Sequence, residues 1–180
     1  WFGAQDIQCV LIGLSNGEIW IYSPLANEIV TKLSTTNGHA ITGMDVNSAY
    51  IWCCDANDML YQFDAKSYQL LKHFKVDNVK ALTQLTIFND EQLLLASHSI
   101  YLVSLSDKKV LLTYPGHITP VSKLTKLNNQ YFISSASSDR FLNIYDVQSG
   151  ETKNILVSNS NIVNYRADKE NDIIVTTESG

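Results

Sequence analysis

Arginine is almost missing from this chain: only Arg140 and Arg166 accompany 11 lysines, and the net charge is −5. A domain that grips duplex nucleic acid through its own surface needs a dense basic face. Here the lysines are scattered, and the adjacent pair Lys108-Lys109 reads as a solvated turn. Long apolar runs are also missing. Val10-Leu11-Ile12 and Leu93-Leu94-Leu95-Ala96 are far too short to cross a bilayer, so no membrane partner is expected. No basic stretch followed by an apolar core opens the chain, so no secretory signal is read. The first residue is Trp1 instead of Met, which reads as a piece of a longer chain. Cysteine is scarce and odd in number: Cys9, Cys53 and Cys54. Neighbours on a strand point to opposite faces, which disfavours a Cys53–Cys54 disulfide or joint metal ligation. They read as buried, reduced thiols of an intracellular protein. No Cys/His spacing suggests zinc and no Gly-rich loop suggests phosphate, so no metal, cofactor or small-molecule substrate is expected.

What is present is a regular alternation. With 45% hydrophobic and 17% charged residues the chain is globular. No long stretch has a 3.6-residue period, so helix is expected to be nearly absent and the fold all-β. Tyr22, Phe63, Val103 and Tyr145 recur at intervals of 41, 40 and 42 residues, each closing a short alternating strand. A period in the forties, with aromatic-Asp endings at Phe63-Asp64 and Tyr145-Asp146, marks a WD40 β-propeller. Each unit reads as four short strands. The units run approximately 1–36 (incomplete), 37–76, 77–115, 116–158 and 159–180 (incomplete), all part of one propeller. The fourth is the clearest: strands over Pro120–Leu127, Tyr131–Ala136, Phe141–Val147 and Thr152–Val157, separated by turn clusters. In the third unit the first strand is expected over Lys80–Phe88. In the fifth, Asp172–Thr177 reads as the second strand, with none assigned before it. His73 and His98 are both expected on strands. Four blades fall short of a closed ring, expected to have seven, so this segment reads as part of a larger propeller.

Gly38-His39 and Gly116-His117 lie 78 residues apart, close to two repeats, while Asp77-Asn78 stands midway where the motif is lost. In a WD40 blade such a histidine packs under the sheet. It bonds toward a Ser or Thr of the second strand and the aromatic of the third, oriented by an Asp in the turn between them. The candidates are His117, Ser134 or Ser135, Asp139 and Tyr145 in the fourth unit, and His39, Asp58 and Phe63 in the second. Ser, His and Asp together invite comparison with a hydrolase triad. A unique active site would not recur with the structural period, and no Gly-x-Ser-x-Gly elbow is present. These residues therefore read as blade supports, and no catalytic residue is assigned.

Several stretches carry a more specific likeness: Gly17-Glu18-Ile19-Trp20-Ile21-Tyr22-Ser23, Leu25-Ala26-Asn27-Glu28, Ala96-Ser97-His98-Ser99-Ile100, Pro115-Gly116-His117 with Pro120-Val121-Ser122, and Asp139-Arg140-Phe141-Leu142-Asn143-Ile144-Tyr145-Asp146. In this order, across all 180 residues, they resemble the U3 small nucleolar RNA-associated protein 5 family, whose animal counterpart is WD-repeat protein 43. That resemblance implies a non-catalytic scaffold subunit of the UTPA (t-UTP) complex of the small-subunit processome. It implies nuclear and nucleolar localisation, a role in pre-rRNA processing and 18S rRNA maturation, and a link to RNA polymerase I transcription. The implied partners are other UTPA subunits, processome proteins and, within the complex, the 5′ external transcribed spacer of pre-rRNA. The binding residues are not legible. A WD40 adaptor of another multi-subunit assembly is the alternative. The chain departs from the generic repeat in two ways: no third strand ends in Trp, and Ser23 and Ser104 replace the closing Asp.

Overall fold

The structure is a computed structural model and describes residues 9–157, 159–167 and 172–179. Among these residues there are 17 strands and no helix. The first sheet has three strands, β1 (Val10–Gly13), β2 (Glu18–Ser23) and β3 (Glu28–Ser34). The second has four, β4 (Ile41–Val46), β5 (Tyr50–Asp55), β6 (Leu60–Asp64) and β7 (Leu70–Phe74). The third holds β8 (Gln84–Asn89), β9 (Gln92–Ala96), β10 (Ile100–Ser104) and β11 (Lys109–Tyr114). The fourth holds β12 (Val121–Lys126), β13 (Tyr131–Ala136), β14 (Phe141–Asp146) and β15 (Thr152–Leu156). A last pair is β16 (Ile162–Ala167) with β17 (Ile173–Thr177). In every sheet the neighbours are consecutive in sequence. By compactness the chain divides into two units, Trp1–Ile87 and Phe88–Gly180, with the boundary inside β8.

The recurring marker at Tyr22, Phe63, Val103 and Tyr145 has a local cause. The residue after each one caps the hairpin that follows. Asp64 Oδ1 accepts from the backbone N–H of Lys66 (2.9 Å) and Ser67 (2.6 Å), and Asp146 Oδ1 accepts from those of Gln148 and Ser149 (both 2.9 Å). Ser23 and Ser104 do the same work with one longer bond each, from Ala26 N–H (3.2 Å) and Asp107 N–H (3.3 Å). Asp and Ser side chains that satisfy the next backbone donors favour turns for this reason. Four residues further on, Asn27, Tyr68, Lys108 and Gly150 all have φ between 55° and 72°. Only glycine takes this left-handed conformation without steric cost. Three of the four hairpins add a register shift at the marker itself, between Ile21 and Tyr22, Gln62 and Phe63, and Leu102 and Val103.

The sequence reading is corrected at several points. β8 starts at Gln84, not Lys80, because Asn78 and Ala81 are left-handed and Leu82 N–H bonds to Asp58 Oδ1 instead of a strand neighbour. β16 was not expected; it pairs with β17 across Tyr165↔Val175 and Ala167↔Ile173. His73 lies on β7, but His98 is exposed in the turn between β9 and β10.

Within the first unit, the core gathers Cys9, Ile19, Ile21, Leu33, Ile51, Cys53, Tyr61 and Phe63. β4 also approaches β8 so closely that a Cβ at Gly43 would lie 2.8 Å from Gln84 Cα, which demands glycine there. Asp45 on β4 accepts from Ile87 N–H (2.8 Å) and Val46 N–H (2.8 Å); burial pushes its carboxyl up from the usual range despite these bonds. In the second unit, Phe132 and Tyr145 stack at 4.5 Å, and Tyr114 meets both rings edge-on. Fully burying a ring such as Phe132 contributes about 2–3 kcal/mol. The Tyr114 hydroxyl donates to the Val147 carbonyl at 2.9 Å, and burial pushes its phenol up to about 12. A second cluster in this unit joins Ile133, Leu142, Ile162 and Tyr165.

Candidate functional site

The densest group of polar side chains lies in β12–β15. Pro115-Gly116 ends the run after β11, and Gly116 packs against the β9–β10 turn. A Cβ there would fall 1.7 Å from the His98 carbonyl oxygen, so no other residue fits. His117 is thereby turned under the sheet, its side chain fully buried. Its Nδ1 lies 2.7 Å from Asp139 Oδ2 and its Nε2 lies 2.8 Å from Ser134 Oγ. Ser134 Oγ is 3.2 Å from the Tyr145 hydroxyl. Asn143 Nδ2 donates to that hydroxyl (3.1 Å) and to the Gly116 carbonyl (3.1 Å), closing the circuit on the loop where it began. The other carboxylate oxygen of Asp139 accepts from Arg140 N–H (2.7 Å) and Phe141 N–H (3.2 Å), which fixes the β13–β14 turn. His117, Ser134, Asp139 and Tyr145 each find partners for their side-chain polar atoms, the condition under which a buried polar network stabilises and rigidifies.

Of the residues singled out from sequence, His117, Ser134, Asp139 and Tyr145 are brought together. Ser135 is not in this circuit; its carbonyl accepts from Ser122 Oγ. Asn143 was missed, although it lies two residues before Tyr145 and therefore on the same face of β14. The second unit differs. His39 is exposed, and among the described residues its ring makes no hydrogen bond; Asp58 turns instead to Leu82 N–H. The strand registers show why. Cys53 stands opposite Tyr61 where Ser134 stands opposite Asn143, and Phe63 stands opposite Ile51 where Tyr145 stands opposite Phe132. Neither Cys53 nor Phe63 offers an oxygen to an imidazole. Phe63 packs in the core instead. Asp55, which the sequence reading did not single out, takes over. Fully buried, it accepts from Asn57 N–H (2.9 Å), Met59 N–H (3.0 Å) and the Tyr61 hydroxyl (2.9 Å).

The Ser134–His117–Asp139 distances match those of a nucleophile–base–acid relay. Burial decides what they can do. Ser134 is fully buried and its Oγ is shared with Tyr145, so no substrate carbonyl can approach it. A cavity of about 730 Å³ in this unit is lined by Leu127, Tyr131, Ile144, Thr152 and Ile173 among others and contains none of the three. Cys53 and Cys54 are buried on opposite faces of β5; burial pushes the Cys54 thiol up to about 11, and Cys53 higher, so neither is a nucleophile at neutral pH. Among the described residues no group of three or more His, Cys, Asp or Glu could hold a metal ion. Lysines that look scattered in sequence are used internally. Lys126 Nζ donates to the Phe88 carbonyl (2.5 Å), and Lys123 Nζ donates to Asn164 Oδ1 (2.7 Å) and to the Tyr165 carbonyl.

No family model matches the chain. It is 45% identical over 182 aligned positions to U3 small nucleolar RNA-associated protein 5 of Saccharomyces cerevisiae, covering 98% of this chain and 28% of that protein. Over this segment the chain is similar to the U3 small nucleolar RNA-associated protein 5 family. WD repeat-containing protein 43 of Homo sapiens matches at 26% identity over 165 positions, covering 81% of this chain and 24% of that protein. The chain thus spans about a quarter of the length of these relatives. Among solved structures, the WD40 beta propeller domain of Doa1 superposes with a TM-score of 0.79 at 20% identity, over 98% of this chain and 59% of that one. The structure of U3-55K superposes with a TM-score of 0.69 at 16% identity, over 82% and 48%. The fold is that of WD40 β-propeller blades.

Proposed function

We propose that this segment is a non-catalytic WD40 scaffold acting in ribosome biogenesis. In this reading it is a subunit of the UTPA complex of the small-subunit processome, working in nucleolar pre-rRNA processing and 18S rRNA maturation. The observation that carries the reading is the 45% identity over 98% of the chain to a U3 small nucleolar RNA-associated protein. The site supports the scaffold half of it. The triad-like group at Ser134, His117 and Asp139 has its serine and imidazole buried, where it holds a loop and a turn in place. His117, Ser134, Asp139 and Tyr145 act as blade supports, and the chain offers loops and edges to partners instead of a reactive pocket. The partners are other UTPA subunits and processome proteins, with the 5′ external transcribed spacer of pre-rRNA inside the same assembly, and the link to RNA polymerase I transcription follows from that setting. Affinity purification of the full-length tagged protein tests this. Co-recovery of spacer RNA and processome subunits, with nucleolar staining, is expected. A protein confined to the cytoplasm and free of pre-rRNA would overturn the reading and favour an adaptor of another assembly.

A further inference from the structure

Asn-Gly occurs twice in the chain, at Asn16-Gly17 and at Asn37-Gly38. In this dipeptide the asparagine amide is open to attack by the backbone nitrogen that follows, because glycine puts no Cβ in the way. The two stand in different surroundings. Asn16-Gly17 lies in the turn between β1 and β2. Gly17 is buried, its N–H donates to the Leu14 carbonyl at 3.3 Å, and Asn16 Oδ1 accepts from Glu18 N–H at 3.1 Å. Nitrogen and amide are both held by the turn. Asn37-Gly38 lies in the connection from β3 to β4, which is tied at its ends. Thr35 N–H and Oγ1 donate to the Gly17 carbonyl at 3.1 and 3.0 Å, and Ile41 N–H donates to the Leu14 carbonyl at 3.1 Å. Between these ties Thr36, Asn37, Gly38 and His39 are exposed, and among the described residues neither Asn37 N–H nor Gly38 N–H makes a hydrogen bond. Asn37 Oδ1 accepts from Thr36 Oγ1 at 3.4 Å, and a donor on that oxygen favours attack at Cγ.

We propose that Asn37 is a site of spontaneous isoaspartate formation, with water as the co-reactant, and that Asn16 is protected by its turn. The Gly38 backbone nitrogen gives its proton to solvent and bonds to Asn37 Cγ. The Cγ–Nδ2 bond breaks, and ammonia leaves with a proton taken from water. Water then opens the succinimide ring. Attack at Cγ gives aspartate; attack at the main-chain carbonyl of residue 37 gives isoaspartate, in which the main chain runs through Cβ and Cγ. No oxidant or reductant is consumed. Either product adds a carboxylate to a chain whose net charge is −5. Isoaspartate also lengthens the main chain by a carbon. Gly38 packs so closely on Gly17 that a Cβ at Gly17 would lie 2.8 Å from Gly38 Cα. An extra main-chain carbon between the ties at Thr35 and Ile41 is not absorbed there without moving one of them, so the hold of this connection on the β1–β2 turn is loosened. This chemistry is independent of the scaffold role.

Full-length protein is warmed at mildly alkaline pH, native or in urea, and digested with trypsin; cleavage after Lys32 puts Asn16 and Asn37 on different peptides. Fragment masses locate each gain of about one dalton. Methyl transfer from labelled S-adenosylmethionine by an isoaspartate-specific carboxyl methyltransferase separates isoaspartate from aspartate. In the native protein Asn37 is expected to convert at least about tenfold faster than Asn16, which reacts only when its turn opens, whereas in urea the two convert at similar rates. Equal native rates, or faster conversion at Asn16, would overturn the proposal. So would an Asn37 that stays intact in the native protein while both sites react in urea. Hydrogen exchange reads the loosening. In the isoaspartate form the amides of Thr35 and Ile41 are expected to exchange at least about tenfold faster than in fresh protein, and Asn37→Gln carried through the same incubation keeps both slow. Unchanged exchange in the isoaspartate form would overturn the loosening. Spacer-RNA recovery by fresh protein is untouched by any of these outcomes, so this inference and the scaffold reading fail separately.

Discussion

The sheets β4–β7 and β12–β15 share strand number, order and antiparallel register, yet the turn between their second and third strands is held by different chemistry. In β12–β15 the hold is long-range: His117 reaches 17 residues to Ser134 and 22 to Asp139. In β4–β7 it is local: one carboxylate, Asp55, takes three donors within six residues. The exchange is coupled. Once Ser becomes Cys53 and Tyr becomes Phe63, a buried imidazole would lack acceptors, and leaving it so would cost about 1–3 kcal/mol. His39 sits in solvent instead, and the turn acquires a carboxylate of its own. A repeat can thus keep its backbone while its polar lock is rebuilt from other residues.

The largest effect is expected at Asp55, because three donors converge on one fully buried group. Asp55→Ala should lower the stability of the first unit by about 3–4 kcal/mol, read as a shift in the urea midpoint. A loss under about 1 kcal/mol would mean that Asp55 is not the lock. The two histidines come next. His117→Ala strands Asp139 and Ser134 and should cost about 2–3 kcal/mol, while His39→Ala should stay within about 0.5 kcal/mol. Equal losses in thermal melts would erase the contrast between the sheets. A smaller loss than that of His117→Ala tests the registers directly. Tyr145→Phe makes β14 resemble β6 and should cost about 1 kcal/mol, since only one hydroxyl is removed and Asn143 keeps its bond to the Gly116 carbonyl. Double-mutant cycles of Tyr145→Phe with Ser134→Ala should show coupling; strict additivity would break the circuit into independent bonds.

Much of the fold was readable in order of locality. The hairpins after Tyr22, Phe63, Val103 and Tyr145 depend on a capping Asp or Ser and a left-handed residue four positions on, all inside six residues, so they repeat visibly in the sequence. β16 escaped because its alternation is weak: Val163 points to solvent and Asn164-Tyr165-Arg166 carries little apolar signal. Lys80–Thr83 was taken for strand because its true constraint, the Asp58 carboxylate, is 24 residues from Leu82. The candidate site divided in the same way. His117, Ser134, Asp139 and Tyr145 were named from spacing, whereas Asn143 and Asp55 were not, since neither belongs to the repeat pattern.

By itself, the sequence determined an all-β chain of repeated four-stranded units and the position of each closing hairpin, because those features follow from backbone preferences over a few residues. It could not say which Gly-His pair carries a buried histidine. Gly38-His39 and Gly116-His117 are the same dipeptide at the same point of the repeat. Their fates are set by what stands across the sheet, Cys53 and Phe63 in one case, Ser134 and Tyr145 in the other. An imidazole goes inside only where oxygen atoms wait for both of its nitrogens, and only the folded sheet brings those atoms within reach.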